Sequence, residues 1–249
     1  MTKKPLLSTN NNKTMKGEKL GYKTYILYLS AFTQNSKGIN ICSHASKGCA
    51  ASCLVGSGFG GMYTNVQQGR INKTEFFLKN RIEFLTQLKS EIEKSISKNV
   101  DKAIPTFRLN GTSDLPFEKY GIFEGGKNIF ELFPDVQFYD YTKNHLRFDK
   151  VLPTNYHLTF SRSETNNEKS LELLRRGINV AMVFDKTPES YRGYEVINGD
   201  TDDLRFLDKR GGIIVGLKYK KMTGKGANNS LAFESGFAIK VEQDELILA

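Results

Sequence analysis

The sequence predicts an α/β protein whose mostly parallel sheet forms a full or partial (β/α) barrel. Three observations carry that expectation. Strand-like and helix-like segments alternate along the chain, the strands read as apolar runs without strict alternation, and polar residues gather where the strands end. Apolar strands alternating with amphipathic helices are the pattern of a parallel sheet covered by helices. In such sheets the ligand sites lie at the carboxyl ends of the strands.

Residues 22–32 (YKTYILYLSAF), rich in aromatic and β-branched side chains, predict a buried first strand. Residues 65–98 predict one long helix, capped by Thr64 or Asn65, with Ile71, Leu78, Ile82, Leu85, Leu88, Ile92 and Ile96 on one face. Residues 104–109 (IPTFRL) form the second strand and run into the polar turn NGTSD. A short helix over 128–133 leads to a third strand, 136–141 (VQFYDY), ending at TKNH. The fourth strand, 156–160 (YHLTF), ends at SRSETN, and an amphipathic helix over 168–176 is stopped by Gly177. Strands follow at 179–184, 194–197 and 211–217, the first two ending at DKTPES and NGDTDD. The segment 231–247 reads equally as an edge strand or a helical cap.

Residues 1–21 are polar and basic and read as a flexible arm, leaving 22–249 as a single barrel-like domain with a cysteine loop at 42–53. No apolar run approaches the roughly eighteen residues of a membrane span. The N-terminus also lacks the apolar core of a signal peptide. Clustered cysteines without an export signal imply the cytoplasm. The net charge of +9 favours polyanions such as a nucleotide or nucleic-acid substrate, and basic surfaces also serve solubility alone.

The strongest functional lead is the cysteines. The chain has three, Cys42, Cys49 and Cys53, all within the run CSHASKGCAASC. An odd number without an export signal argues against structural disulfides. Cys49 and Cys53 are four apart, so one helical turn would place both sulfurs on one side. Three thiolates suit an iron–sulfur cluster with one open iron. His44 completes a Cys3His set, the ordinary composition of a tetrahedral Zn2+ site, and keeps that reading open. His145 reads as a surface residue near a strand end, and His157 as a hydrogen-bonded core histidine.

Two further classes remain. Arg175, Arg176, Lys218, Lys220 and Lys221 would meet phosphates in a zinc-stabilised nucleic-acid-binding protein. Asp114, Asp140, Asp185, Asp200, Asp202 and Asp203 would hold hard metals in a divalent-metal nuclease.

A three-cysteine loop directly after the first strand of an α/β barrel resembles the radical S-adenosylmethionine enzymes. That resemblance implies a [4Fe–4S] cluster on Cys42, Cys49 and Cys53, S-adenosylmethionine on the fourth iron, and an electron donor. It also implies cofactor contacts from Asn110, Thr112 and Asp114 after the second strand, and from Ser161, Arg162 and Ser163 after the fourth. The family spacing is C-x3-C-x2-C, whereas this chain has C-x6-C-x3-C. GIIVG at 212–216 resembles an adenine-side contact, although glycine-bracketed strands are common. Over most of residues 22–220 the chain is similar to the phage Gene product 88 family, in CSHASKGCAASCL, LNGTSDL and GYEVINGDTDDLRFLDKRGGIIVGLKYK. This second resemblance implies a phage or prophage origin, hence a host cytoplasm, and brings no established activity.

Overall fold

The strands differ in how their two faces are composed, and that difference organises the molecule. A computed structural model describes residues 4–9, 12–53, 56, 63–223 and 228–242. Ten strands form one sheet among them: β1 (Leu7–Ser8), β2 (Tyr22–Leu27), β3 (Ile104–Arg108), β4 (Gln137–Thr142), β5 (Tyr156–Ser161), β6 (Val180–Phe184), β7 (Ser190–Tyr191), β8 (Tyr194–Asn198), β9 (Ile214–Lys218) and β10 (Ala238–Ile239). The path is β1-β2-β3-β4-β5-β6-β9-β8-β7, with β10 beside β6. All pairings are parallel except the two at the edges, β1 with β2 and β7 with β8. The sheet is mostly parallel, as expected, but it is open at both ends and does not close into a barrel.

Parallel register aligns Thr24 with Thr106, Tyr139 with His157, and Tyr141 with Thr159. In β2 to β5 one face is therefore polar, and Thr24 Oγ1 bonds both Thr106 Oγ1 (3.1 Å) and Tyr139 OH (3.3 Å). The opposite face carries Tyr25, Phe107, Phe138 and Leu158, all in one hydrophobic core. Alternation along the strands of this half departs from the expectation of uniformly apolar strands. β6 and β9 match it better: Val180, Met182, Phe184, Ile214 and Val215 are all buried.

The apolar face is covered by α3 (Thr64–Lys79) and α4 (Arg81–Asn99), and further along by α5 (Asn167–Arg175). α1 (Asn12–Glu18) lies against β2, and α2 (Lys47–Ala51) against α6 (Leu231–Glu234). The single helix expected over 65–98 breaks at Asn80, whose backbone leaves the helical region (φ −134°, ψ 61°). The break shifts the helical phase. Phe84, Leu85, Leu88 and Ile92 stay buried, while Ile82, expected on the same face, is 70% exposed. Residues 128–133 form turns and not a helix. Asn128 Oδ1 accepts the amides of Phe130 and Glu131, a local bond that competes with helix formation. His145 opens a short 3-10 helix, His145–Asp149.

The described parts of both terminal segments are tied into the sheet. The described part of residues 1–21 packs on the domain: β1 pairs with β2, Leu6 is 2% exposed, and Glu91 accepts the amides of Leu6 and Leu7. Of the segment 231–247, the described residues 231–242 hold both a short helix and the strand β10, while 243–247 lie outside the described residues. β5 pairs with β6 only at Phe160 and Ser161, and β10 takes over the same edge of β6 at Val183 and Phe184. Where β5 peels away, Arg162 Nη1 donates to the carbonyls of Gly236 and Phe237.

Candidate metal centre

The cysteine loop leaves the carboxyl end of β2 and is built on short local bonds. Asn35 Oδ1 accepts the amides of Lys37 and Ile39, and Asn40 Oδ1 accepts that of Cys42 (2.8 Å). Ser46 caps α2 by accepting the Cys49 amide. α2 ends at Ala51, so Cys53 lies beyond its C-cap, Ser52, and the expected single helical turn does not span both cysteines.

Two other strand ends hold this loop. From the turn after β3, the Asp114 amide donates to the Ile41 carbonyl (3.0 Å). The Cys42 thiol donates to the Thr112 carbonyl (3.5 Å). Gly111 lets that turn approach β2 closely: a Cβ there would lie 2.6 Å from Ile26 Cγ2 and 2.7 Å from the Tyr28 ring. From the end of β5, Glu164 accepts the Gly48 amide and the Ser46 hydroxyl. The cysteine loop therefore sits on the carboxyl rim, beside the ends of β3 and β5.

All three cysteines are free of disulfides. Burial pushes the Cys42 thiol up to about 12, with Cys53, Asp114 and Cys49 adding to the rise and a hydrogen bond from the Phe32 backbone opposing it. Cys42 thus feels the charge of both other thiols. Among the described residues, however, no group of three His, Cys, Asp or Glu side chains stands at metal-holding separation. His44 is exposed, with Nδ1 hydrogen-bonded to Ser43 Oγ at 3.0 Å.

The polar strand-end residues reach the same rim but are engaged within the protein. Asn110 Nδ2 donates to the Leu115 carbonyl and to Asp140, and its Oδ1 accepts from Ser113 and Leu115. Thr112 donates to the Leu29 carbonyl. Asp114 accepts the Lys143 amide (2.9 Å) and pairs with Arg147. Ser161 Oγ accepts from Lys143 Nζ (2.7 Å), and the Ser163 amide donates to Asn166. Asp140 is fully buried, where it accepts from Asn110 and Tyr156. Burial lifts its carboxyl to about 6 against the pull of Arg108 and those hydrogen bonds.

The remaining aspartates are dispersed. Asp185 accepts the Lys186 and Val241 amides, Asp200 pairs with Lys220, Asp202 with Arg205, and Asp203 with Arg108. Gly216 is needed for packing, since a Cβ would lie 2.5 Å from Thr187 and 2.7 Å from Val196. His157 departs from its expected role: its Nε2 is buried without a hydrogen-bond partner.

A family model described as Gene product 88 matches residues 5–236. The chain belongs to this phage protein family. The Gene product 88 region runs from the residues before β1 to Gly236, taking in the cysteine loop and every strand except β10. Comparisons with curated proteins and with solved structures give no significant match. The resemblance to radical S-adenosylmethionine enzymes gains no support from any of them. Among the described residues no helix is long and apolar enough to cross a membrane.

Three contacts in this part of the Gene product 88 chain escape a reading of the sequence. Glu164 is one polar residue among several after β5, and nothing local marks it as the clamp on α2. Arg108 and Asp203 are 95 residues apart, so their ion pair exists only through the sheet. Arg70 lies on a helix whose other residues are mostly surface-like, and its packing against Tyr28 has no sequence signal.

Proposed function

We propose that Cys42, Cys49 and Cys53 hold a [4Fe–4S] cluster on the carboxyl rim, with one iron left for S-adenosylmethionine, and that the protein acts on a nucleotide or nucleic-acid-related substrate in the host cytoplasm. The observation that carries this reading is the presence of three free thiols in one loop anchored on the carboxyl rim, with the charges of Cys53 and Cys49 reaching Cys42. Neighbouring thiols that oppose the ionisation of Cys42 make a site of negative potential once deprotonated, and a bound metal cation reverses that penalty. The donor set is all sulfur, which suits iron–sulfur chemistry.

The chemistry such a group supplies is one-electron transfer to a sulfonium carbon–sulfur bond. The chain's own contribution is placement. Glu164 fixes α2, the 110–114 turn braces Cys42, and Lys143 stands on the rim between Ser161 and the ring of Phe237, 5.7 Å away. The basic charge of +9 supports a phosphate-bearing substrate.

Anaerobic purification with iron, sulfide and zinc analysis tests the reading. Brown protein with about four irons per chain, lost on Cys→Ala substitution and kept by His44→Ala, is the expected result. One zinc, no sulfide and a requirement for His44 would replace it with the Cys3His structural site.

A further inference from the structure

A cavity of about 310 Å³ lies between the end of β2 and α3, lined by Ser8, Tyr28, Asn65, Gly69, Arg70 and Lys73 among others. Arg70 packs its guanidinium 5.1 Å from the centre of the Tyr28 ring, and its Nη1 is buried with no hydrogen-bond partner. Among the described residues no carboxylate answers its charge; the acidic groups it feels are the Tyr28 hydroxyl and the Cys53 thiol. Lys73 donates to the Leu6 carbonyl (2.7 Å) and faces Glu91, itself bound to the Leu6 and Leu7 amides. A desolvated guanidinium without an anion is costly, and a phosphate or carboxylate is its usual complement.

We propose that this cavity binds the phosphate group of a small phosphorylated molecule. Donors reach it from three elements: Ser8 from β1, Tyr28 from the end of β2, and Asn65, Arg70 and Lys73 from α3. A tetrahedral oxyanion uses donors from several directions, whereas a planar carboxylate is satisfied by the guanidinium fork alone. Arg70 supplies the charge that no carboxylate answers, and Lys73, which faces Glu91, adds a further donor. The site uses no metal, and it adjoins the cysteine loop through Cys53, whose thiol Arg70 feels.

Calorimetric titration of inorganic phosphate into the full chain tests it, with acetate at equal ionic strength as the comparison. Saturable one-site binding is expected for phosphate and not for acetate, weakened at least about tenfold by Arg70→Gln. Should Arg70→Gln fail to fold, Ser8→Ala and Lys73→Met are each expected to weaken the same binding. Cys53→Ala is expected to keep it while losing metal, which separates this site from the cysteine centre. Absence of phosphate binding, equal binding of acetate, or loss of binding with Cys53→Ala overturns the proposal; the last would mean that Arg70 serves the thiol.

Discussion

Glu164 holds the amide of Gly48: its Oε1 accepts that N–H at 2.7 Å while Oε2 accepts the Ser46 hydroxyl at 2.6 Å. The carboxylate after β5 therefore sets where the helix carrying Cys49 begins. Gly48 leaves no room for a side chain, since a Cβ would lie 2.5 Å from Ser235 Oγ and 2.8 Å from Glu164 Oε1.

Removing this clamp should loosen the cysteine loop without unfolding the sheet. Glu164→Ala leaves two donors without their acceptor, a loss of about 1–3 kcal/mol. Denaturant unfolding should show that loss, and metal analysis should show less iron or zinc per chain. Unchanged metal content together with unchanged stability would show that the clamp does not position the loop.

Cys42 should be the slow thiol of the metal-free protein. With burial and its neighbours pushing it up to about 12, it is almost wholly protonated at neutral pH, and its alkylation rate should climb with pH through the alkaline range. Mass-mapped iodoacetamide labelling reads this directly. Rapid labelling of Cys42 at neutral pH would contradict the burial of its sulfur.

Arg162 should behave as a structural residue that docks the C-terminal segment. Arg162→Ala removes the donors to Gly236 and Phe237 and should cost about 2–4 kcal/mol, as for a buried charged hydrogen bond that leaves acceptors unpaired. Hydrogen exchange should rise at β10 and along its partner β6. A variant that keeps full stability but loses S-adenosylmethionine binding would assign Arg162 to the cofactor instead.

The Arg108–Asp203 pair should cost more to break than to replace. Arg108 is 9% exposed and Asp203 1%, so Arg108→Met alone strands a buried carboxylate, at about 3–5 kcal/mol. The double variant Arg108→Met with Asp203→Leu should recover most of that loss. A thermodynamic cycle in urea measures it, and simple additivity would show that the two side chains do not couple.

His157 should set part of the acid limb of stability. Burial, then Arg210 and Arg205, lowers its value from 6.5 to about 4. The unfolded chain binds a proton that the folded chain refuses, so stability is present above about 6.5 and lost as the pH falls toward about 4. Asp140 and Asp208, raised to about 6 chiefly by burial, act with the opposite sign, so the comparison is with His157→Gln. The variant should lose less stability across that window, by up to about 3 kcal/mol. Parallel pH profiles for the two proteins would contradict the neutral, half-buried His157.

Order and class were legible in the chain because they depend on local pattern. The strands at residues 104–108, 137–142, 156–161 and 180–184 follow from runs of β-branched and aromatic residues. α5 gives way at Gly177, in the left-handed region (φ 81°), as its sequence implies. The cysteines announced themselves by clustering. The break at Asn80 did not, because Leu78 before it and Leu85 after it keep a helical spacing whether the chain forms one helix or two. Only the packing of Phe76 and Phe77 against Phe84 shows two helices meeting.

Side-chain pattern over a few neighbouring residues was enough for the α/β class, the order of most elements, and the three-thiol loop after the first long strand. Contacts between distant segments settled the rest. They left the sheet open, with antiparallel strands at both edges, and slotted β10 beside β6 where β5 departs. They also brought Asp114, Arg162 and Asp203 to their partners, Arg147, the 236–237 carbonyls and Arg108. These outcomes depend on which groups meet once the strands are in register. A buried charge or donor takes the nearest complement the fold brings to it, and no local spacing records which one that is.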